Sequence, residues 1–528
     1  MGLATLLGGF LTISHSAKAQ GGYADDALLY MRQNPSGTAR TLGLGGAGSS
    51  LGADFGSLTS NPAGLGFYTK SEFTLTPGVG YGTTKTGQIA NSAATAGANF
   101  SSLSQTNNSF HIASLGLVFA NRRPDNDQSS DWRGGSFALG FTRLADFNQS
   151  FRYRNTTDDN HSFFQRLREP YNNGDYTSNS YQQATNDIIS QDSNGNYVNI
   201  DGLAYGTGLT DILPYKAPGS TTTYNRVATP YRDPGTTAKP NYVTQDELVK
   251  TTGSLSQFDL GYGGNYRDRL YIGGGVGIVS LKRTRTSTFS ESSGGAQDFQ
   301  SDDYLRTTGT GINARLGLIV RVVDALRLGA SIQTPTYIHL TDEYNTTLAV
   351  KPSYVVQGAT SPLTTVPGTF EYSVTTPFRA NGGATILIGK YGFLTGDVEY
   401  VGYSSAKFNT TDGSVDTGLD YANSTISNGY RNVVNLKAGA EGRFDIFRAR
   451  VGFARYADPF MNSTYDRRQN YYTAGLGVRT RKFFVDVAGV YLDGKDQYQP
   501  YSLARVVAPT DNITNNRFTA SLTGGIIF

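Results

Sequence analysis

The side chains able to do acid–base, nucleophilic or metal chemistry are few in this sequence and far apart. Four histidines, His15, His111, His161 and His339, are scattered over 528 residues, and cysteine is absent. No His-x-x-x-His or Cys/His spacing offers a metal its ligands. No serine or carboxylate is placed by spacing to form a nucleophile–base pair with any histidine. Asp192, Asn194 and Asn196 begin like a calcium loop, but the glycine falls at the fourth place where the loop needs it at the sixth. Asn194-Gly195 is better read as a hairpin turn. Gly43, Gly45 and Gly48 match G-x-G-x-x-G, yet no buried strand precedes them and no βαβ unit surrounds them, so a dinucleotide turn is not expected. Neither an enzyme, nor a cofactor, nor a bound metal is expected.

What remains must be explained by architecture. Glycine (64), tyrosine (34) and phenylalanine (28) are abundant, charged residues make up 16%, and the mean hydropathy is −0.35. Beyond the first twenty residues no apolar run reaches the ~18 residues that a membrane helix needs. A membrane β-barrel escapes that test, because lipid-facing and lumen-facing residues alternate and their hydropathies cancel. The net charge of +3 is spread along the chain, so nucleic acid is not an expected partner.

Residues 1–19 carry an apolar run, Leu3 to Ile13, and then Ala17-Lys18-Ala19, the pattern of a signal peptide lacking its basic n-region, as expected if the true start lies upstream. Tyr23 to Arg32 predicts a short helix with Ala27, Leu28 and Met31 on one side. Arg40 to Phe67 is too rich in glycine, serine and alanine to build its own core, so it needs walls supplied by something else. Residues 20–70 are therefore expected to fold as a plug, or hatch, within a barrel lumen. From residue 71 to 528 the period becomes two, and about fourteen antiparallel strands are expected, with turns of one to three residues on one side and long loops on the other. Residues 155–252 break the pattern and read as one very large extracellular loop, with a short helix near Ser162 to Arg168.

The faces sort by charge. Arg315, Arg321, Asp397, Glu399, Lys437, Glu441, Arg443, Arg448 and Arg450 oppose apolar neighbours along their strands. A charge facing lipid near the bilayer midplane costs about 2–4 kcal/mol, so these residues are expected to line the lumen. Gly134 and Gly135 mark a candidate kink in the third strand.

Several motifs carry a resemblance. The run Gly45 to Gly66 takes an acidic turn at Gly52-Ala53-Asp54 into Ser60-Asn61-Pro62-Ala63-Gly64-Leu65. Further along come Gly311-x-Asn313-x-x-x-Gly317, Asp397-Val398-Glu399-Tyr400, Arg448-x-Arg450-x-Gly452-Phe453-Ala454 and the turn Asp458-Pro459. In order and spacing the chain resembles the FadL/TodX-type family of outer-membrane transporters for long-chain fatty acids and other hydrophobic molecules. The resemblance implies a fourteen-stranded barrel in the outer membrane of a Gram-negative bacterium, with Asn61, Pro62, Ala63 and Gly64 at the hatch. It also implies that a hydrophobic ligand passes to a pocket near the hatch and leaves sideways beside a kinked strand. The C-terminal strand ending at Phe528 looks like the signal read by the barrel assembly machinery, and membrane lipid is the other expected partner. An alternative role is a structural or secretion-associated barrel whose polar, tyrosine-rich loop 155–252 binds a protein partner.

Overall fold

Strict alternation of inward and outward side chains folds residues 72–527 into fourteen antiparallel strands that close on themselves. The computed structural model describes residues 22–87, 102–172 (except 125 and 128), 185–230 (except 187, 217, 220 and 222), 242–292, 298–351, 359–461 and 465–528. The expected signal peptide, residues 1–19, lies outside them. The strands are β1 Glu72–Thr86, β2 Ser104–Arg122, β3 in two parts, Trp132–Asp146 and Gln149–Asp158, β4 Tyr242–Tyr266, β5 Leu270–Ser292 and β6 Phe299–Val323. Next come three more interrupted strands: β7 Leu326–Gln333 and Tyr337–Val350, β8 Gly368–Thr375 and Arg379–Ile388, and β9 Gly392–Val401 and Lys407–Thr410. The ring is completed by β10 Val433–Phe444, β11 Phe447–Tyr456, β12 Gln469–Arg479, β13 Phe483–Tyr498 and β14 Asp511–Ile527. Each strand pairs with the next, and β14 pairs with β1, with Val79 opposite Ala520, so no edge is left at the seam.

The expected short turns are present. Left-handed φ at Arg267, Asp268, Gly389 and Asp445 gives the tight reversals that twisted hairpins require. Proline, which has no N–H for a ladder, interrupts β7 at Pro335 and β8 at Pro377. There Thr376 N donates to Thr336 O at 2.9 Å and Thr336 N donates to Thr376 Oγ1 at 3.0 Å, bridging the two gaps.

Within the expected loop 155–252, Asp211–Lys216 pairs with Thr223–Ala228 as a separate hairpin. The barrel strands extend to Asp158 and resume at Tyr242, so that loop is narrowed at both ends. The reason lies in the outward residues. On β5 they pass from Ile272, Val276 and Ile278 to Ser280, Lys282, Thr284, Thr286 and Thr288. Above the apolar belt the outward face is polar and the inward face mixes apolar with polar residues, so alternation no longer signals a strand.

The belt itself is large. Leu316 is 61% exposed and Leu476 68%, and Val451, Ile526, Ile312 and Val79 are exposed beside them. No helix among the described residues is long and apolar enough to cross a membrane. An apolar outward belt on a closed even-stranded barrel is the architecture of an outer-membrane protein. Replacing Leu316, at the centre of the β6 belt, by arginine is expected to destabilise the barrel by about 2–4 kcal/mol in urea unfolding from lipid vesicles.

Candidate functional site

The N-terminal segment is built of short turns. The first helix is α1, Gly22–Met31, with Ala27, Leu28 and Met31 buried. One-turn helices follow at Ala39–Gly43 and Ser57–Ser60, then a 3₁₀ turn at Pro62–Phe67. Asp54 organises the lower part, accepting from Thr38 Oγ1 at 2.9 Å, Thr41 Oγ1 at 2.8 Å and Gly56 N at 2.8 Å. Gly52, at φ +71°, and Ala53, at φ +52°, make the turn that brings it there.

Hydrogen bonds tie this segment to strands all around the ring. Asp397 on β9 accepts from Gly48 N and Ser49 N at 2.8 and 2.9 Å. Arg327 and Ser331 on β7 donate to Leu51 O and Ser60 O, both at 2.8 Å. Thr473 on β12 donates to Gly43 O at 3.1 Å, and Thr523 on β14 accepts from Ala39 N at 2.7 Å. Arg40 reaches Glu441 on β10 at 3.6 Å, and Glu441 meets Arg450 on β11 at 2.7 Å. Arg450 in turn meets Asp486 on β13 at 2.5 Å. A segment bonded to inward residues of so many strands lies within the ring.

The wall makes room for it with glycine. At Gly263 on β4 an added methyl would lie 2.6 Å from Pro62 O, and at Gly439 on β10 it would lie 2.7 Å from Leu44 O. Gly273, Gly317, Gly329 and Gly452 face the segment just as closely. The backbone approaches these strands where a side chain would otherwise stand.

Above this floor the lumen is apolar. Leu28, Tyr30 and Met31 of α1 pack with Phe147, Leu281, Leu340, Tyr372 and Phe408 from the wall. A helix in the loop after β9, Thr417–Gly429, covers them with Leu419, Ala422 and Ile426. The arm holding α1 is tethered by Asp26 to Arg283 at 2.7 Å and by Tyr471 Oη to Asn34 Oδ1 at 3.1 Å.

Among the described residues the ring breaks between β2 and β3. The β2–β3 ladder ends at Ser114 opposite Thr142, although both strands continue. Beyond Asp146 the second part of β3 turns inward, so that Thr86 Oγ1 on β1 donates to Arg152 O at 2.8 Å. Residues 104–113 of β2 thus keep their ladder with β1 and have none with β3. Asn148 N donates to Asp146 Oδ1 at 2.8 Å, and Gly253, at φ +125°, accepts from Phe147 N at 3.0 Å.

The sequence-predicted residues distribute as follows. Asn61 Nδ2 donates to Ser49 O at 2.6 Å, to Leu318 O at 3.2 Å and to Ala330 O at 3.2 Å, while its Oδ1 accepts from Ala63 N at 3.1 Å. Pro62, Ala63 and Gly64 are buried beside it. Arg315, Asp397, Glu399, Glu441 and Arg450 face inward and are buried, and Lys437 pairs with Glu399 at 3.4 Å. Arg321, Arg443 and Arg448 lie instead at the turn end of the lumen. Arg321 pairs there with the exposed Asp324 at 3.2 Å, and Arg448 donates to Phe447 O at 2.7 Å.

The sequence suggests a kink at Gly134-Gly135. Gly134, at φ +124°, sits in a bulge near the turn, but the β3–β4 ladder runs through Gly135, and the strand is interrupted at Phe147-Asn148. Sequence reasoning missed Arg143, Asp146 and Arg517, which surround that interruption. A signal was available, because the apolar parity of β3 flips between Phe141 and Leu144.

No family model matches the chain, and no curated protein matches it. Among solved structures it is similar to a Pseudomonas aeruginosa FadL homologue, with 13% identity, 94% of this chain and 99% of that one covered, and a TM-score of 0.50. The toluene transporters TodX of P. putida and TbuX of Ralstonia pickettii match at 13% and 14% identity, each over 94% of this chain and 99% of theirs, with TM-scores of 0.49 and 0.47.

Proposed function

We propose that this chain, which has the fold of the FadL homologue, moves hydrophobic small molecules such as long-chain fatty acids across the outer membrane by passive diffusion gated by ligand. The reading rests on one combination of features: a floor of residues 38–66 bonded around the ring, an apolar cluster built on α1 above it, and a break in the wall between β2 and β3. With the floor tied to so many strands, the short way out for an apolar molecule is sideways. Ligand takes the place of α1 and its arm in the apolar cluster, and Asn61, Pro62, Ala63 and Gly64 keep the floor in place as a hatch. Differential affinity for the displaced state drives the change.

The test is uptake of a fluorescent long-chain fatty acid by cells expressing the chain, with and without residues 23–66. Selective uptake that turns into unselective leakage on deletion supports gated transport. An intact chain that moves neither the fatty acid nor a neutral hydrophobic probe removes that support.

A second reading has its own observation. The helix α2, Phe163–Asn172, buries Phe164 and Leu167 against Val243, Phe289, Phe299 and Leu348. It is also tied to the loop after β13 by Tyr501 Oη donating to His161 O at 2.7 Å and by Ala504 N donating to Glu169 Oε2 at 2.6 Å. A loop so ordered over the barrel mouth suits protein docking, and a chain that transports nothing directs the search to partners of that loop.

A further inference from the structure

A cavity lies against the break between β2 and β3, and its lining combines two kinds of residue. Leu42, Ala113, Leu144 and Leu492 are apolar. His111, Arg143, Asp146 and Arg517 are polar or charged. Arg517 has both terminal nitrogens engaged: it meets Asp146 end-on, Nη1 to Oδ1 at 3.1 Å and Nη2 to Oδ2 at 2.9 Å, and also donates to Asn148 O at 3.0 Å and Ser109 Oγ at 2.5 Å. Its passage from β14 to β3 is allowed by Gly80, where a side chain would lie 2.7 Å from the guanidinium.

Arg143 is not fully engaged. One nitrogen, Nη2, is shared between Asp146 Oδ2 and Gly253 O, each at 3.1 Å, while its Nε is buried and has no partner among the described residues. His111 Nδ1, on the same cavity, is likewise buried without a partner among them. Two arginines thus share one carboxylate, leaving a surplus positive charge and unmet hydrogen-bonding capacity next to an apolar surface. Arg143 also has the strand parity of Phe137, which faces lipid, yet only 17% of its side chain is exposed. It reaches sideways into the break.

From this geometry we infer that the break contains a head-group subsite, in which Arg143 receives the carboxylate of a single-chain amphipath while its alkyl tail lies along Leu42, Leu144 and Leu492. The inference rests on the transport reading and narrows it: the wall break selects anionic amphipaths over neutral hydrocarbons of the same length. An arginine that shares its only carboxylate and keeps an unbonded Nε in a low-dielectric break is stabilised by an incoming oxyanion and gains nothing from a hydrocarbon. Asp146 holds the arginines apart and in place, and Arg517 positions Asp146.

The test compares laurate with methyl laurate, binding each to the purified full chain in a non-ionic detergent and following the flux of each into vesicles. Arg143→Met is expected to weaken laurate binding at least about tenfold and leave the ester within about twofold, with Arg143→Lys in between. Thr519→Asp, which adds a carboxylate to the cavity lining and leaves both arginines in place, is expected to abolish the same preference and serves if Arg143→Met fails to fold. Equal losses for acid and ester in the variants, or no loss for either, overturn the head-group subsite while leaving transport intact. A wild-type chain that takes up neither compound removes the transport reading and this one together.

Discussion

Replacing Gly452 by valine is expected to convert a closed barrel into a leaky one. Gly452 faces inward on β11, and any Cβ there would overlap the backbone at Leu44 and Gly45. The floor cannot slide aside to accept it, because Asp397, Arg327, Ser331 and Thr473 fix it from other directions. Overpacking of this kind costs about 1–3 kcal/mol when neighbours can adjust, and here the neighbour is backbone. The strand itself loses nothing, since Gly452 keeps its register with Gly439 on one side and Thr473 on the other. Heat-modifiable mobility on gels should therefore remain that of a folded barrel, while planar-bilayer conductance rises from near zero to that of an open pore. Gly382→Ala is the control, because nothing lies within reach of a methyl at that position. A silent Gly452→Val would mean that the floor does not seal the lumen.

The second large effect is expected at Glu441. Its carboxylate is the shared partner of Arg40, Arg443 and Arg450, so one residue joins the luminal segment to two strands. Glu441→Ala leaves Arg40 with Asp54 at 4.0 Å and Arg450 with Asp486, in a place where water is largely excluded. Removing one partner of a buried ionic group typically costs about 3–5 kcal/mol, because the remaining charge stays buried. We expect a loss of that size in urea unfolding of the reconstituted barrel, and a smaller one for Glu441→Gln, which keeps the side chain's volume and one acceptor oxygen but loses the charge and the second acceptor. If Glu441→Ala unfolds like the wild type, the network does not anchor the segment.

Much of this architecture was legible before any coordinates. Alternation placed Leu316 and Val451 outward and Arg315 and Arg450 inward, because one face must meet lipid and the other cannot. Tight turns at Arg267-Asp268 and Asp445 were legible for a similar reason, as polar breaks in an otherwise continuous period. Strand ends were not. Where β4 to β7 rise above the belt, water bathes the outer face, and the physical distinction that wrote the alternation disappears. The break in the wall was hidden differently. Gly134-Gly135 attracted attention because glycine permits distortion, yet permission is not cause. The interruption at Phe147-Asn148 is held by side-chain bonds, a local one from Asn148 to Asp146 and one from Asp146 to Arg517, hundreds of positions away in sequence. The inward glycines were visible only as a high count, since their role depends on what lies across the lumen.

The pairing of the first strand with the last also sets an order of assembly. The seam between β1 and β14 cannot form until the end of the chain is in place, whereas the segment that fills the lumen is made first. Its bonds reach β6, β7, β9, β10, β12 and β14, so its full set of partners exists only as the seam closes. The N-terminus must therefore wait inside an open, curling sheet, and closure traps it like a cork around which the bottle is blown. A chain truncated before β14 would leave that segment exposed, and a segment that arrives late would find no door.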